Sequence, residues 1–284
     1  MLPPPAERVA RLAPTPSGFL HAGNAVNFLV NAALAGPAGR LLLRIDDLDR
    51  GRFRTEYLED IFATLDWLGI RPTDGPRDAA DFAARWSQEH RMGDYRAALG
   101  ELRHHPLVFA CRCSRRELTT GDHVHGCRLG AVDPDSPGVA WRIDTRRLPQ
   151  REVDFAFLAG GGRLYVDVHQ RMPDFAIRQR NGRPSYQLAC TVDDLRFGVN
   201  VCARGVDLLA STAAQSVLSD LLGYPPLFER CWFFHHPLLR EATGRKLSKS
   251  AGAAALRAQR AEPSATPAAL RALAQDYLRL VVRR

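Results

Sequence analysis

Lysine is almost absent from this chain of 284 residues. Of the 39 cationic side chains only two are lysines, Lys246 and Lys249, and both lie in the stretch TGRKLSKSAG at residues 243–252. Arginine offers a planar fork for paired hydrogen bonds, whereas lysine carries a compact charge on a flexible stem. The flanking Gly244 and Gly252 predict a loop. Such a loop suits the stabilisation of phosphate charge during a reaction, and the alternative is a solvated loop with lysines placed by chance.

Long apolar runs and an export signal are also missing. No segment approaches the roughly 18 consecutive apolar residues of a membrane-spanning helix, so we expect no membrane association. The N-terminal stretch MLPPPAERVARLAP has neither the basic nor the apolar segment of a secretory signal, which favours the cytoplasm. In that compartment the six cysteines are not expected to form a disulfide scaffold.

Charge is the strong bias in the composition. The formal net charge is +8 and the isoelectric point is about 9.6. Such a balance favours a polyanionic partner such as nucleic acid, and the alternative is weak basicity spread over the surface. The apolar share of 45% and the charged share of 25% are those of an ordinary globular protein. The length suffices for one large domain with an insertion or a small second domain.

The order of apolar patterns predicts an α/β fold with a Rossmann-like parallel sheet. Residues 8–13 have the character of a buried strand, and residues 24–36 have helical spacing with a glycine stop. Residues 39–47 form a second apolar run of strand length that ends in carboxylates, and residues 55–70 form an amphipathic pattern opened by Thr55. Strand, helix, strand and helix in this order indicate parallel strands with right-handed crossovers.

Composition divides the rest of the chain. Residues 1–103 are predicted to be the first half of the nucleotide-binding catalytic domain, and residues 104–165, rich in Cys, His, Gly and Pro, an insertion. Residues 166–252 complete the catalytic domain, with strand-like apolar runs from Tyr186 onward and a helix in STAAQSVLSDLLG that a Ser or Thr caps. Residues 253–284 can form a short C-terminal segment of two helices.

The first candidate site is the stretch APTPSGFLHAGN at residues 13–24. It lies between a predicted strand and a predicted helix, where open parallel sheets bind ligands. Gly18 and Gly23 allow close backbone approach, and His21 and Asn24 are polar groups near a helix N-terminus, which attracts phosphate. The alternative is an ordinary strand–helix turn with Asn24 as a cap.

The second candidate site is the stretch CRCSRRELTTGDHVHGC. It offers three thiols at Cys111, Cys113 and Cys127 and two imidazoles at His123 and His125. Four nitrogen and sulfur ligands at short spacing suit a closed tetrahedral zinc site. The alternative is three free cysteines in a reducing compartment. The other cysteines lie in apolar runs and are expected in the core.

Four stretches together resemble the glutamyl-tRNA synthetase family of class I aminoacyl-tRNA synthetases: RLAPTPSGFLHAGN, LLLRIDDLDR, YQLACTVDDLRFGVNVCARGVDLLAST and FFHHPLLREATGRKLSKS. The resemblance spans roughly residues 8–252. It implies an ATP site built from His21, Gly23, Asn24 and Lys249, with Mg²⁺ as counter-charge. It also implies that Lys249 stabilises the transition state that forms pyrophosphate. The catalytic candidates are His21, Asn24, Lys246 and Lys249.

The resemblance also implies an amino-acid site. Its matched positions are Arg11, Ala13, Thr15, Asp46, Tyr186 and Arg204. Arg11 and Arg204 can each pair with a carboxylate, and glutamate has two. For Arg204 the alternative is a surface ion pair with Asp207. Asp46 stands where the family usually has the longer glutamate that reads the substrate ammonium, and Cys190 stands where the family tends to have asparagine.

The cysteine-rich insertion resembles that of the glutamyl-queuosine tRNA(Asp) synthetases within the same family. Tyrosine is usual at the fourth ligand position, where this chain has His123, so the resemblance favours His123 over His125. It implies transfer of activated glutamate to the queuosine base of tRNA(Asp), with no anticodon-binding domain. The anticodon stem-loop would then enter the catalytic domain, with RQRNGR at residues 178–183 as one edge of an RNA-contacting surface or as a solvated turn.

Alternatives to this function remain open. Activated glutamate could be transferred to a tRNA 3′ end or to a small-molecule amine. A non-catalytic RNA-binding paralogue would keep the fold without the reaction; Lys249, His21 and Arg204 argue against it, whereas Asp46 in place of glutamate favours it. We expect a monomer.

Overall fold

The computed structural model describes residues 3–118, 126–150, 152–157, 163–225, 227–239, 249–262 and 264–282. The strands in these ranges are β1 (Val9–Leu12), β2 (Arg40–Leu43), β3 (Val108–Cys111), β4 (Ala140–Ile143), β5 (Glu152–Phe157), β6 (Arg163–Asp167), β7 (Ala176–Arg178), β8 (Val201–Gly205) and β9 (Trp232–His236). The helices are α1 (Ala22–Ala35), α2 (Thr55–Trp67), α3 (Ala79–Asp81), α4 (Met92–Leu102), α5 (Arg115–Leu118), α6 (Val168–Arg171), α7 (Tyr186–Arg196), α8 (Leu209–Leu221), α9 (Leu227–Arg230), α10 (Lys249–Ala261) and α11 (Ala268–Val282).

The main sheet has the strand order β2-β1-β8-β9-β5-β6. All neighbouring strands are parallel except β5 and β6, which form an antiparallel pair at one edge. The predicted Rossmann-like parallel sheet is thereby confirmed. Helix α1 connects β1 to β2 on one side, and α8 connects β8 to β9 on the other. The order of strands therefore reverses between β1 and β8, the position at which open α/β sheets bind ligands.

The two central strands separate as they approach this reversal. In the register of β1 and β8 only Ala10 and Val201 are paired. Farther along β8, the backbone of Ala203 is satisfied by a side chain instead, since Asn31 of α1 accepts its N–H and donates to its carbonyl, each at 2.9 Å. Asn31 is fully buried. The side chain of Asn31 thus takes the place of β1 as the hydrogen-bond partner of β8, and a crevice can open between the two strands.

A second, antiparallel sheet of β3, β4 and β7 lies beside the main one. It takes β3 and β4 from the predicted insertion at residues 104–165 and β7 from beyond it, whereas β5 extends the main sheet. The predicted boundary at residue 165 lies inside β6. The domain boundaries themselves stay a prediction.

Local sequence explains most of the helices. Helix α1 ends where expected, because Gly36 adopts a φ of 72° and its N–H reaches the carbonyl of Ala32 at 3.1 Å. The two predicted C-terminal helices are present as α10 and α11. Their buried side chains Leu256, Leu270 and Ala274 belong to the same core cluster as the main sheet. In the part of the chain that the structure describes, no helix combines the length and the apolar character needed to cross a membrane.

Two local predictions were wrong. Of the strand-like runs predicted from Tyr186 onward, only the later one is a strand, β8. The first is helix α7, capped by Ser185, whose hydroxyl accepts the N–H of Leu188 at 3.3 Å. Helix α8 has no Ser or Thr cap, because it begins at Leu209 and its serine and threonine lie inside the first turn. In α7 buried polar side chains occupy positions that apolar ones usually take, which hides the helical period.

Candidate active site

A cleft of about 840 Å³ opens at the reversal of strand order. It brings together sequence-predicted residues that are far apart in the chain. Those that line it are Arg11, Ala13, Thr15, Gly18, His21, Gly23, Asn24, Tyr186 and Arg204. Helices α10 and α11 contribute Ala254, Arg257 and Tyr277 to the same wall.

The N-terminus of α1 forms one end of the cleft. His21 is the N-cap residue, and its backbone N–H donates to Oδ1 of Asn24 at 3.0 Å. Gly23 gives the imidazole room, because a Cβ there would lie 2.9 Å from Cε1 of His21. The amide group of Asn24 therefore orders the helix start, and its Nδ2 is the part that can donate to a ligand. Backbone N–H groups and a partial positive charge at this end suit phosphate.

Arg204 lies at the inner end of the cleft and is only 3% exposed. Its hydrogen bonds go to neutral groups: Nη1 donates to Oε1 of Gln215 at 2.8 Å and Nε to Sγ of Cys202 at 3.3 Å. Among the described residues its Nη2 has no hydrogen-bond partner. Its guanidinium also stands over the ring of Phe233, with Cζ 4.9 Å from the centroid. Arg204 is thus not the surface residue that the alternative reading required, and its buried charge suits a carboxylate ligand.

A buried network of charged side chains lies next to Arg204. Nε of Arg11 donates to Oδ1 of Asp194 at 2.9 Å, and Arg44 bonds the same oxygen. Arg44 also forms a bidentate pair with Asp46 at 2.7 and 3.0 Å. Arg44 also lies 3.9 Å from Asp193, which is paired with Arg91. Four guanidiniums, those of Arg11, Arg44, Arg91 and Arg204, thus face the three carboxylates of Asp46, Asp193 and Asp194, so one positive charge is left for a ligand to balance.

Asp46 does not line the cleft. It is 6% exposed, and both of its carboxylate oxygens are bonded to Arg44. Burial raises the pKa of its carboxyl above the usual value, although the charge of Arg44 opposes that effect. The role of Asp46 in reading an ammonium group stays a prediction. Cys190 joins the same network, because Nη2 of Arg44 donates to its Sγ at 3.3 Å.

Tandem histidines lie at the end of β9, and the second of them, His236, lines the cleft, although the sequence indicated no role for either. Burial and the nearby charge of Arg204 lower the pKa of His235 to about 3, so its ring is neutral. Nδ1 of His236 lies 2.9 Å from the carbonyl of Pro237 and so must donate to it; Nε2 then accepts from Asn27 at 3.0 Å. Tyr277 stacks on His236 with centroids 5.2 Å apart. The HH pair in FFHHPLL was the signal that could have indicated them.

The structure describes only one of the two lysines, and of that one only the backbone. Lys246 lies outside the described residues. Lys249 is the first residue of α10, and its side chain lies outside what the structure describes. Farther along the same helix, Ala254 and Arg257 line the cleft that contains His21. Helix α10 therefore flanks the cleft beside His21. The predicted loop at residues 243–252 was wrong for residues 249–252, which form the first turn of this helix.

The three predicted cysteine ligands come together beside the small sheet. The Sγ atoms of Cys111, Cys113 and Cys127 are buried and lie within 4.8 Å of one another, with Cys113 and Cys127 3.8 Å apart. A tetrahedral zinc ion with Zn–S bonds of about 2.3 Å separates its sulfurs by about 3.8 Å, so the spacing fits. Gly126 shapes the turn before Cys127 with a φ of 59°. His123 and His125 lie outside the described residues.

The predicted RNA-contacting edge at residues 178–183 is largely anchored within the protein. Arg178 donates to the carbonyl of Val139 at 3.0 Å, and Arg183 is paired with Glu89. Arg180 is exposed, although its Nε also donates to a carbonyl, that of Gly138, at 2.8 Å. Only part of this stretch thus presents charge to an approaching phosphate.

Comparison with known proteins agrees with this geometry. The family described as "tRNA synthetases class I (E and Q), catalytic domain" matches residues 8–129 and 162–273. A glutamyl-Q tRNA(Asp) synthetase of Nitratidesulfovibrio vulgaris is 36% identical over 268 residues, covering 88% of this chain and 80% of that protein. One of Synechococcus sp. is 38% identical over 250 residues, covering 87% of this chain and 75% of that protein.

Longer relatives share the same region. A glutamate–tRNA ligase of Gloeobacter violaceus is 31% identical over 272 residues, covering 88% of this chain and 49% of the ligase. The crystal structure of a glutamate–tRNA synthetase from Elizabethkingia anophelis superposes with a TM-score of 0.70 at 23% identity. The superposition covers 86% of this chain and 53% of the synthetase chain. This likeness supports the fold. The chain belongs to the family of class I tRNA synthetase catalytic domains, E and Q.

Proposed function

We propose that the protein activates glutamate with ATP and transfers it to the queuosine base of tRNA(Asp). The observation that carries the proposal is Arg204, a buried cation at the cleft whose hydrogen bonds go to neutral groups and whose Nη2 has no hydrogen-bond partner among the described residues. Arg11 lines the same cleft and can take the second carboxylate of a dicarboxylic amino acid. The relatives at 36–38% identity carry the matching activity in their names.

The first step joins two anions. An oxygen of the amino-acid carboxylate attacks the α-phosphorus of ATP, a new C–O–P bond forms, and the bond to the β-phosphate breaks with its electron pair leaving on pyrophosphate. The protein must hold the reactants in line against their repulsion and stabilise the charge that moves onto the phosphates. Arg11 and Arg204 hold the amino acid, and the N-terminus of α1 with His21 and Asn24 faces the phosphates. Mg²⁺ bound with ATP supplies further counter-charge.

The second step needs a nucleophile from the acceptor. A hydroxyl oxygen of the acceptor attacks the carbonyl carbon of the adenylate, and AMP leaves with the electron pair of the C–O bond. The acceptor's proton is released. The basic surface can supply contacts to the phosphates of an RNA, with the anticodon stem-loop as the part that enters the cleft. We place the reaction in the cytoplasm, where tRNA and ATP are found, and the monomeric state stays a prediction.

The amino-acid half of the proposal is tested by ATP–pyrophosphate exchange with a panel of amino acids. We expect exchange that depends on glutamate. Replacing Lys249 by alanine should lower it by about 10² to 10³, the usual cost of removing one donor to developing charge. Exchange that occurs without glutamate, or with none of the amino acids, would exclude this activity.

The acceptor half is tested with tRNA whose 3′ end is blocked by mild periodate oxidation before the reaction. If the base is the acceptor, radiolabelled glutamate is still transferred, provided that queuosine is introduced after the oxidation or its periodate-sensitive diol is protected during it. Transfer only to tRNA with an intact 3′ end would identify the terminus as the acceptor instead. If glutamate is transferred neither to the base nor to the 3′ end while ATP–pyrophosphate exchange is intact, a small-molecule amine would be favoured as the acceptor.

The cysteine cluster is proposed to hold one structural zinc ion, with His123 as the fourth ligand. The zinc would fix the turn at Cys127 against β3. Metal analysis of the purified protein should find about one zinc per chain, and Cys113→Ser should lower that value, since loss of one of four ligands opens a closed site. Cys231→Ser is the matched control, because Cys231 is also buried but lies outside the cluster. Stable protein without metal would contradict the role.

A further inference from the structure

One buried carboxylate joins the two nucleotide-facing elements of the cleft. Asp60 of α2 is 4% exposed. Its Oδ2 accepts the backbone N–H of Leu20 at 2.9 Å, and its Oδ1 accepts Nη2 of Arg260 at 2.7 Å. Leu20 belongs to the loop before α1, and Arg260 belongs to α10. The two oxygens of a single side chain are thus divided between elements that are about 240 residues apart in sequence.

A second contact joins the same elements. The guanidinium carbon of Arg257 in α10 lies 3.9 Å from the centroid of Phe19, and the ring of Phe19 meets that of Tyr57 edge-on at 4.8 Å. Arg260 also donates to Thr64 of α2. Helix α10 is therefore held against both α2 and the loop before α1 by charged, aromatic and hydrogen-bonded contacts.

We propose that Asp60 is a positioning residue for the nucleotide half of the reaction. It fixes α10, and with it the backbone of Lys249, relative to the loop that carries His21. A helix rises about 1.5 Å per residue, so the anchor at Arg260 lies about 16 Å along the axis from Lys249, within one rigid rod. Asp60 acts through these elements. This inference rests on the proposed function only where it concerns ATP.

The contacts of Asp60 and Arg260 are separate from those of the amino-acid site, which distinguishes a positioning role from general stabilisation. Arg11 and Arg204, at the amino-acid end, make their hydrogen bonds to Asp194, Gln215 and Cys202, none of which bonds Asp60 or Arg260. Loosening α10 should therefore disturb the ATP side of the cleft and leave the amino-acid side intact.

The kinetic test uses Asp60→Ala and Arg260→Gln in ATP–pyrophosphate exchange. Both variants should lower kcat/KM for ATP by about 10- to 100-fold, the scale of a small misplacement of reacting groups, while the KM for glutamate stays unchanged. The loss in the double variant should be smaller than the sum of the two single losses, because both changes break the same Asp60–Arg260 pair. Asp94→Ala is the control, since it removes an exposed ion pair with Arg196 elsewhere. The proposal would be overturned by equal changes in the kinetic constants for ATP and for glutamate, or by losses of the two single variants that add up in the double variant.

A second readout does not need catalysis. The chain has only two lysines, so a lysine-specific protease can cut only after Lys246 and Lys249. Cleavage after Lys249 should be faster in Asp60→Ala and Arg260→Gln than in the wild type, at a temperature where melting curves show all three folded. Cleavage at the wild-type rate in both variants would refute the anchoring of α10. A wild type that lacks exchange but shows this protease pattern would refute the proposed function and leave the anchoring supported.

Discussion

Replacing Arg204 by glutamine should raise the KM for glutamate about 100-fold. The substrate carboxylate loses a charged hydrogen bond that contributes about 3 kcal/mol to binding. The KM for ATP should stay unchanged, since Arg204 makes its hydrogen bonds to Gln215 and Cys202 and none to the start of α1. The side chain is buried beside Gln215 and Cys202, so glutamine can be accommodated without leaving a charge unpaired. Exchange kinetics with varied glutamate and ATP measure both constants.

Arg230 supplies the matched control for this change. It is a half-buried arginine that, like Arg204, is bonded to a neutral group, the hydroxyl of Ser219 at 3.0 Å, but it does not line the cleft. Arg230→Gln should leave both KM values as in the wild type. A similar rise in the KM for glutamate in both variants would show that the effect comes from a general loosening, and an unchanged KM in Arg204→Gln would remove Arg204 from the amino-acid site.

The second large effect concerns stability. Asp194→Ala should lower the free energy of unfolding by about 3–5 kcal/mol, because it leaves the buried guanidiniums of Arg11 and Arg44 without their shared carboxylate. Urea unfolding of the variant and the wild type measures the difference. Asp94→Ala removes an exposed pair with Arg196 and should cost less than about 1 kcal/mol. Comparable losses in the two variants would contradict the importance of burial.

The same residue gives a pH dependence. Burial alone would raise the pKa of Asp194, but the guanidiniums of Arg11 and Arg44 outweigh it and hold that pKa well below its usual value. A carboxyl with a lowered pKa stabilises the fold fully above its unfolded pKa of about 3.9, and this contribution is lost as the pH falls toward the folded pKa. Below about pH 4 the wild type should therefore lose stability more steeply than Asp194→Asn. Parallel curves from urea titrations at each pH would exclude the effect.

Sequence alone determined the local features of this protein. The βαβ order, the stop of α1 at Gly36 and the two C-terminal helices followed from short-range periodicity and from the conformational preferences of single residues. The polar stretch before α1 and the cysteine cluster could be located for the same reason, since each places its groups in one short stretch of the chain, residues 13–24 and 111–127. The strand assigned from Tyr186 failed because the pattern of buried polar side chains in α7 depends on partners elsewhere.

Tertiary structure alone decided which charges meet. Arg11 and Asp194 are 183 positions apart, and Asp60 and Arg260 are 200 apart, so no local pattern could pair them. Arg44 and Asp46 are only two positions apart, but folding places this pair in the buried network with Asp194. A buried charge takes its function from the groups that surround it, and the fold brings those groups together from distant parts of the chain.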